Sequence, residues 1–212
     1  MPEFLKNGRS PAAATVVLAH GAGAAMDSPF MERVALGLGE AGLSVVRFEF
    51  PYMRRRRLEG GRRPPDRQPL LLETWRAAIE TLGGPAGLII GGKSMGGRMA
   101  SLITGALEAE GRPPAGLCCL GYPFHPPGRP DKTRTGHLEH LTTPTLILQG
   151  QRDPFGGPGE VAGYALSPAI GLHWLADGDH GFRPRKKSGR SEAQNLGEAI
   201  EKLACFARRC VA

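Results

Sequence analysis

Eleven residues of the chain, GLIIGGKSMGG at positions 87–97, match two motifs that carry different chemistry. Gly87 to Ser94 spell GxxxxGKS, a loop whose backbone amides surround phosphate groups. Gly92 to Gly96 spell GxSxG, a sharp turn that exposes a serine as a nucleophile. The two motifs require different local structure, so the elements around them decide between the two chemistries.

The phosphate-loop match lacks the surroundings that it needs. Such a loop follows a strand and is itself irregular, because its amides must wrap the phosphates. Here the turn sequence TLGGPA precedes Gly87, and the interior residues LII favour a strand. No apolar strand that ends in a magnesium-binding aspartate follows at the usual distance in the sequence. We therefore do not expect a nucleotide to bind at this motif.

The nucleophile turn has both of its flanking elements. A predicted strand at 87–90 precedes Ser94, and apolar residues recur at helical spacing after it: Met99, Leu102, Ile103, Ala106 and Leu107. The strained serine needs small residues two positions before and after it, and Gly92 and Gly96 supply them. Gly91 and Gly97 add room. We expect Ser94 to be a nucleophile; the alternative is a surface serine in a structural turn.

A serine nucleophile needs a histidine to take its proton and an acid to orient that histidine. His180 lies in the glycine-flanked loop ADGDHGF, after the last predicted strand. Asp153, in LILQGQRDPFG, follows the preceding strand and lies between serine and histidine in the chain. We expect His180 to be the base and Asp153 the acid, against the alternatives of a solvated loop histidine and a surface-turn aspartate. Asp179 is expected to point elsewhere, and Asp177 to be a turn residue.

Backbone amides must also stabilise the oxyanion that the attack creates. We expect the N–H of Met95 to act with an amide from the loop LAHGAGA after the first strand. The amide of Ala22 is the favoured partner, and Gly21 and Gly23 form the turn around it. His20 is expected to orient this loop rather than to take part in catalysis.

The surrounding pattern is that of an α/β domain with a mostly parallel sheet and helices on both faces. Strands are predicted at 14–19, 43–50, 87–90, 116–122, 144–150 and 169–175. Helices are predicted near 28–40, at 70–82, after Ser94, and from a capping box formed by Ser191 and Gln194. We expect a single domain over 1–212, with its core at about 14–210. About 20 residues separate the strands at 116–122 and 144–150, too few for a cap domain.

Composition narrows the class of protein further. The four cysteines, Cys118, Cys119, Cys205 and Cys210, match neither a zinc site nor a CxxC redox motif, so we expect reduced packing thiols, no metal and no cofactor. The first ten residues lack the apolar core of a signal peptide, and no run reaches the roughly 18 apolar residues of a membrane span. These features predict a soluble, cytoplasmic protein.

The net charge of +7 is concentrated in two segments that we predict to be loops. Residues 52–67 hold seven arginines against two acids, and residues 181–190 hold five basic residues and no acid. The first segment is a long connection without obvious structure. Both segments follow strands and should lie near Ser94. Either they favour an anionic substrate, with His20, Lys93 and Arg183 as candidate substrate-binding residues, or they are solvated loops of an arginine-rich chain.

Four segments in series carry a family resemblance: AHGAGAAMDSPFM, GGKSMGGRMAS, LQGQRDPFG and GDHGFRPRKKSGR. With them the chain resembles the α/β hydrolase superfamily, and within it the small, capless, dienelactone-hydrolase-like proteins that include the testis-expressed protein 30 group. The resemblance runs from about residue 14 to the end. It implies a single-domain α/β hydrolase fold without a cap, with Ser94 as nucleophile, Asp153 as acid and His180 as base. Dienelactone hydrolases themselves use a cysteine nucleophile, so their reaction is not transferred.

Two functions follow from these features. The first is a serine hydrolase that cleaves a carboxylic ester or thioester of a small or exposed, anionic or neutral, acyl substrate. The second is a non-catalytic protein of the same fold that binds an acidic partner through its basic loops. Three reactive groups in the correct order favour the enzyme. We expect a small-molecule acyl substrate, and neither a membrane nor nucleic acid as a partner.

Overall fold

The computed structural model describes residues 3–9 and 11–212. Its strands are β1 (Phe4–Asn7), β2 (Thr15–Ala19), β3 (Ser44–Phe48), β4 (Leu88–Lys93), β5 (Gly116–Leu120), β6 (Thr145–Gly150) and β7 (Ile170–Leu175). Its helices are α1 (Pro29–Glu40), α2 (Pro51–Glu59), α3 (Gln68–Thr81), α4 (Met95–Ala109), the four-residue α5 (Pro158–Val161) and α6 (Glu192–Val211). Short 3₁₀ turns lie at 136–139 and 186–188.

The seven strands form one sheet in the order β1, β3, β2, β4, β5, β6, β7. Strand β1 is antiparallel to β3, and every other neighbouring pair is parallel. Helices cover both faces, so this is the single-domain α/β fold with a mostly parallel sheet that the sequence predicts. Each of the predicted strands and helices is present, with ends shifted by at most three residues.

Two apolar clusters hold the helices against the sheet. Alternate residues of β2 serve opposite faces, because successive side chains of a strand point to opposite sides. Val17 packs in the cluster that includes Trp75 of α3 and Met99 of α4, and Val16 in the cluster that includes Leu38 of α1 and Leu203 of α6. Burial on both faces explains why the central strands are continuous apolar runs.

Helix α2 occupies part of the segment that we predict to be an unstructured connection, so that prediction is wrong for 52–59. Pro51 fills the first turn, where a missing N–H costs nothing, and Gly60 ends the helix with a φ of 74°. Only Tyr52 and Met53 of this helix are buried. Two adjacent apolar residues produce no helical repeat, which is why the sequence does not reveal the helix.

Strand β1 is also absent from the sequence prediction. Its four residues, FLKN, extend the sheet by pairing antiparallel with β3 along the sheet edge. None of them is fully buried, so the strand carries too weak an apolar pattern to be recognised from the sequence. The position of β1 is decided by the free edge of β3.

The cysteines fit the prediction only in part. Cys118 and Cys119 are buried within β5, whereas Cys205 is exposed on α6 and Cys210 is half-buried. The prediction that all four cysteines are packing thiols is therefore wrong for Cys205, which lies on the solvent-exposed face of α6.

Among the helices of residues 3–9 and 11–212, none has the length and apolar content that a membrane-spanning helix requires.

Candidate active site

Ser94 occupies a one-residue turn between β4 and α4. Its φ of 51° and ψ of −114° place it in a conformation that costs a non-glycine residue about 1–3 kcal/mol. The Ser94 amide donates to the Leu120 carbonyl at 3.0 Å, and the Ser94 carbonyl accepts from the Arg98 amide at 3.0 Å. The neighbouring strand and the new helix together hold the strained turn in place.

Glycine is required on both sides of the serine because β2 passes very close. A Cβ on Gly92 would overlap the carbonyl oxygen of Ala19. A Cβ on Gly96 would lie 2.5 Å from the Ala19 oxygen and 2.6 Å from the His20 oxygen. These contacts supply the physical reason for the small residues in the GxSxG motif.

Asp153 and His180 form a hydrogen-bonded pair. Asp153 Oδ2 lies 2.8 Å from His180 Nδ1, and the Asp153 side chain is completely buried. Its Oδ1 accepts from the Phe155 amide at 2.9 Å. A carboxylate accepts only, so Nδ1 carries the hydrogen and Nε2 is left free to take a proton. The chemistry available to this pair is that of an oriented general base.

Gln149 holds the carboxylate of Asp153 from behind. Its Nε2 donates to Asp153 Oδ2 at 3.0 Å and to the Tyr122 carbonyl at 3.1 Å, and its Oε1 accepts from the Tyr122 amide at 2.7 Å. Gln149 is not among the residues that the sequence predicts for the site. The available signal was an amide side chain within the otherwise apolar run TLILQG, because a polar group in a buried strand needs hydrogen-bond partners.

The loop that carries His180 is fixed on several sides. Asp179 Oδ1 accepts hydrogen bonds from the backbone amides of Gly181 and Arg183 in its own turn, and the carboxylate bonded to His180 is that of Asp153. Phe182 adopts a φ of 70° and is fully buried. Asn195 of α6 donates to the Phe182 carbonyl at 2.9 Å. The ring of Phe155 packs against the imidazole, with centroids 4.3 Å apart. These contacts fix the position of the imidazole.

Ser94 and His180 line the same cavity, which has a volume of about 520 Å³. Gly21, Ala22 and Lys93 line it as well. Within the described ranges 3–9 and 11–212, no hydrogen bond joins the Ser94 hydroxyl to His180. Catalytic hydrogen bonds of this kind are often long until substrate binds.

The candidate oxyanion loop is oriented through its carbonyl groups. The Gly21 carbonyl accepts from His20 Nδ1 at 2.7 Å and from the Tyr52 hydroxyl at 3.3 Å, and the Ala22 carbonyl accepts from the same hydroxyl at 2.9 Å. In a trans peptide the carbonyl and the N–H point in opposite directions. The Ala22 N–H therefore points away from His20 and Tyr52. Met95 is the first residue of α4, where amides lack a partner within the helix.

His20 cannot contact a substrate from where it lies, so its place among the candidate substrate-binding residues is wrong. Its side chain is fully buried, and its Nε2 accepts from the Phe50 amide at 3.1 Å. Burial lowers the pKa of His20 and favours the neutral ring. Both ring nitrogens bind backbone groups, which fits a residue that orients the loop after β2.

Lys93 lines the cavity, but its ammonium group is engaged. The Nζ donates to the His180 carbonyl at 2.5 Å and lies 5.4 Å and 5.6 Å from the ring centroids of Phe30 and Phe182. Burial lowers the pKa of Lys93 to about 8, while the charge of Asp153 acts in the opposite direction. Lys93 connects the turn of Ser94 to the loop of His180.

The α/β hydrolase domain family model matches residues 12–208. The chain belongs to this family. Similar solved structures include an α/β serine hydrolase without lid from Xanthomonas campestris, with 21% identity, 98% of this chain and 88% of that chain covered, and a TM-score of 0.64. A dienelactone hydrolase from Anabaena variabilis shares 21% identity over 94% and 89% of the two chains, with a TM-score of 0.69. Est1E from Butyrivibrio proteoclasticus shares 12% identity over 96% and 93%, with a TM-score of 0.70.

In this α/β hydrolase, many basic side chains of the segments 52–67 and 181–190 are paired with acids. The two segments therefore carry less unpaired positive charge than their composition suggests. Helix α2 contacts the candidate oxyanion loop, since Arg56 donates to the Gly23 carbonyl at 3.4 Å. Most of the surrounding charge is compensated by ion pairs: Arg54 with Glu3, Arg55 with Asp66, Arg57 with Asp27 and Glu49, Arg63 with Glu59, Arg183 with Glu192, Arg185 with Asp177, and Arg190 with Glu198. Arg183 lines the cavity of Ser94 and is largely exposed.

Proposed function

We propose that the protein is a serine hydrolase that cleaves a carboxylic ester or thioester, with Ser94, Asp153 and His180 as its catalytic triad. The observation that carries the proposal is the hydrogen bond between buried Asp153 and His180, which lines the same cavity as the strained Ser94. The backbone amides of Met95 and Ala22 are proposed to bind the oxyanion.

The reaction would follow from these positions. Ser94 Oγ attacks the substrate carbonyl while His180 Nε2 takes the hydroxyl proton, and the carbonyl oxygen becomes an oxyanion. The tetrahedral intermediate breaks the bond to the leaving group, which receives the proton from His180. Water then attacks the acyl-serine, again with His180 as base, and releases the acid together with free Ser94. Asp153 keeps the imidazole in the required tautomer at both steps.

The substrate class is proposed from the shape of the site. The connection from β5 to β6 contains one 3₁₀ turn and no cap domain, and the cavity of Ser94 is open to solvent. This shape favours a short acyl group or the exposed end of a larger molecule. We also propose that the chain falls in the small, capless, dienelactone-hydrolase-like branch that includes the testis-expressed protein 30 group, with serine in place of the cysteine nucleophile.

A fluorophosphonate probe tests the proposal, because it labels only an activated serine. The wild-type protein and a matched variant of an exposed serine, Ser188→Ala, should label equally, and Ser94→Ala should not label. Ser94→Ala should also lower kcat on any ester substrate roughly 10⁴- to 10⁶-fold. Equal labelling of wild type and Ser94→Ala would exclude the enzyme and favour the non-catalytic alternative. A panel of esters and thioesters with graded acyl length would then define the acyl group.

A further inference from the structure

A second cavity, of about 340 Å³, also reaches Ser94. Met95, Arg98 and Arg134 line it, whereas His180 is not among its described lining residues. Ser94 therefore lies between two cavities of different chemistry. The larger cavity contains the proposed base, and the smaller one contains two cationic side chains.

The two arginines of the smaller cavity have no counter-ion in the part of the chain that the structure describes. Within residues 3–9 and 11–212, neither Arg98 nor Arg134 forms an ion pair with a carboxylate. Both are half-buried. Arg98 Nε is buried without a hydrogen-bond partner, and its guanidinium group makes one long hydrogen bond, 3.4 Å, to Gln68 Oε1. Buried donors of this kind are costly unless a partner satisfies them.

Other ionisable groups at this cavity do not supply the missing negative charge. Asp66 lines it, but its carboxylate accepts from Arg55 and from the Tyr52 amide at 2.7 Å. His137 is near Arg98, and burial together with that positive charge lowers the pKa of His137 to about 4. His137 is therefore neutral near pH 7. Burial lowers the pKa of Arg98, and the charge of Arg134 acts in the same direction.

The position of His180 decides which part of a substrate would occupy each cavity. The leaving group must receive a proton from His180, so it belongs in the larger cavity. The acyl group then lies on the side of Met95, in the smaller cavity. Apolar side chains of Leu71, Met99 and Pro123 line that cavity and suit a short methylene chain.

We propose that the smaller cavity binds the acyl group and that Arg98 and Arg134 bind a carboxylate at its far end. The preferred substrate would be an ester or thioester of a short dicarboxylic acid. A guanidinium group matches a carboxylate with two parallel hydrogen bonds. Arg98 and Arg134 line the cavity, and neither is paired with a carboxylate of the described residues. This inference rests on the proposed serine hydrolase activity and adds the identity of the acyl group.

Monoethyl glutarate and ethyl pentanoate test the inference, since they differ only in a terminal carboxylate or methyl group. The ratio of their kcat/KM values should favour monoethyl glutarate by at least about 10-fold, and Arg98→Gln or Arg134→Gln should each lower this ratio roughly 10- to 100-fold. Arg98→Lys should retain part of the preference. Arg112→Gln, an exposed arginine paired with Glu80, is the matched control and should leave the ratio unchanged.

A wild-type ratio of one or less, or a ratio that both cavity variants leave unchanged, would overturn the acyl-carboxylate site while leaving the hydrolase proposal intact. If the fluorophosphonate probe does not label Ser94 of the wild-type protein, the hydrolase proposal itself is contradicted. Calorimetry with Ser94→Ala tests the acyl-carboxylate site separately from the hydrolase activity. This variant should not turn over either ester, and its Kd for monoethyl glutarate should be measurably lower than its Kd for ethyl pentanoate. Thermal unfolding shows whether Arg98→Gln and Arg134→Gln are folded. If one of them is not, the kinetic comparison uses the other.

Discussion

The two halves of the candidate active site are built by different means. The half around His180 depends on buried side chains: Asp153 pairs with the imidazole, Gln149 binds the carboxylate, and Lys93 binds the backbone of the histidine loop. The half around Ala22 depends on backbone groups, whose carbonyls are held by a neutral His20 and by Tyr52.

The role that we propose for each half accounts for this difference. A general base changes its charge during the reaction, so it needs a nearby acid that is itself held in place. An oxyanion site only has to present fixed dipoles, and backbone amides do so without a change of charge. Substitutions should therefore act strongly on the histidine half and weakly on the amide half.

Among the substitutions that compare the two halves, Asp153→Asn should cause the largest loss of activity. An amide in place of the carboxylate favours the wrong imidazole tautomer, and kcat should fall by about 10⁴-fold. Steady-state kinetics on the best ester measures the change. Asp131→Asn, at an exposed position, is the control and should keep wild-type activity. A loss below about 10-fold would show that another group orients His180.

Lys93→Met should stabilise the protein near neutral pH, because it removes a cation that burial disfavours. The folded-state pKa of about 8 lies below the roughly 10.4 of an unfolded chain. The unfolded chain binds more protons between these values, so the free energy of unfolding of the wild type should rise with pH relative to the variant. The gain should reach as much as about 3 kcal/mol. Chemical denaturation at pH 7 and pH 10.5 measures it.

If the difference in free energy of unfolding between wild type and Lys93→Met is the same at pH 7 and pH 10.5, Lys93 is not desolvated in the folded protein. Lys202→Met provides the control, since Lys202 is exposed on α6 and should give no pH-dependent difference. The Lys93 result bears on the histidine half directly, because the same ammonium group binds the His180 carbonyl.

Of the three substitutions, Tyr52→Phe should change the protein least, with only a modest loss of activity. Loss of the hydroxyl frees the Gly21 and Ala22 carbonyls, and kcat should fall by roughly 3- to 10-fold with little change in KM, as expected for loosened oxyanion stabilisation. The same kinetic assay serves here, with Tyr164→Phe as the control. An equal rise in KM with an unchanged kcat would assign Tyr52 to ground-state binding instead.

The amino-acid sequence by itself determined the alternation of strands and helices, the strand that ends before Ser94 and the order of Ser94, Asp153 and His180. These features are local: apolar runs, glycine spacing and turn residues act over a few neighbouring positions. The sequence also indicated a loop after β2 with small residues, which is where Ala22 lies. It did not reveal helix α2, whose two buried residues are adjacent.

Only the tertiary structure decided which partners meet. Gln149 meets Tyr122 and Asn195 meets Phe182 across long stretches of the chain. Tyr52 reaches the loop after β2 from a helix that the sequence does not predict. The structure also decided which positive charges have partners. Four arginines of the segment 52–67 pair with acids, while Arg98 and Arg134 beside Ser94 have no carboxylate partner among residues 3–9 and 11–212. Pairing across the chain depends on distances in three dimensions, which spacing along the sequence does not encode.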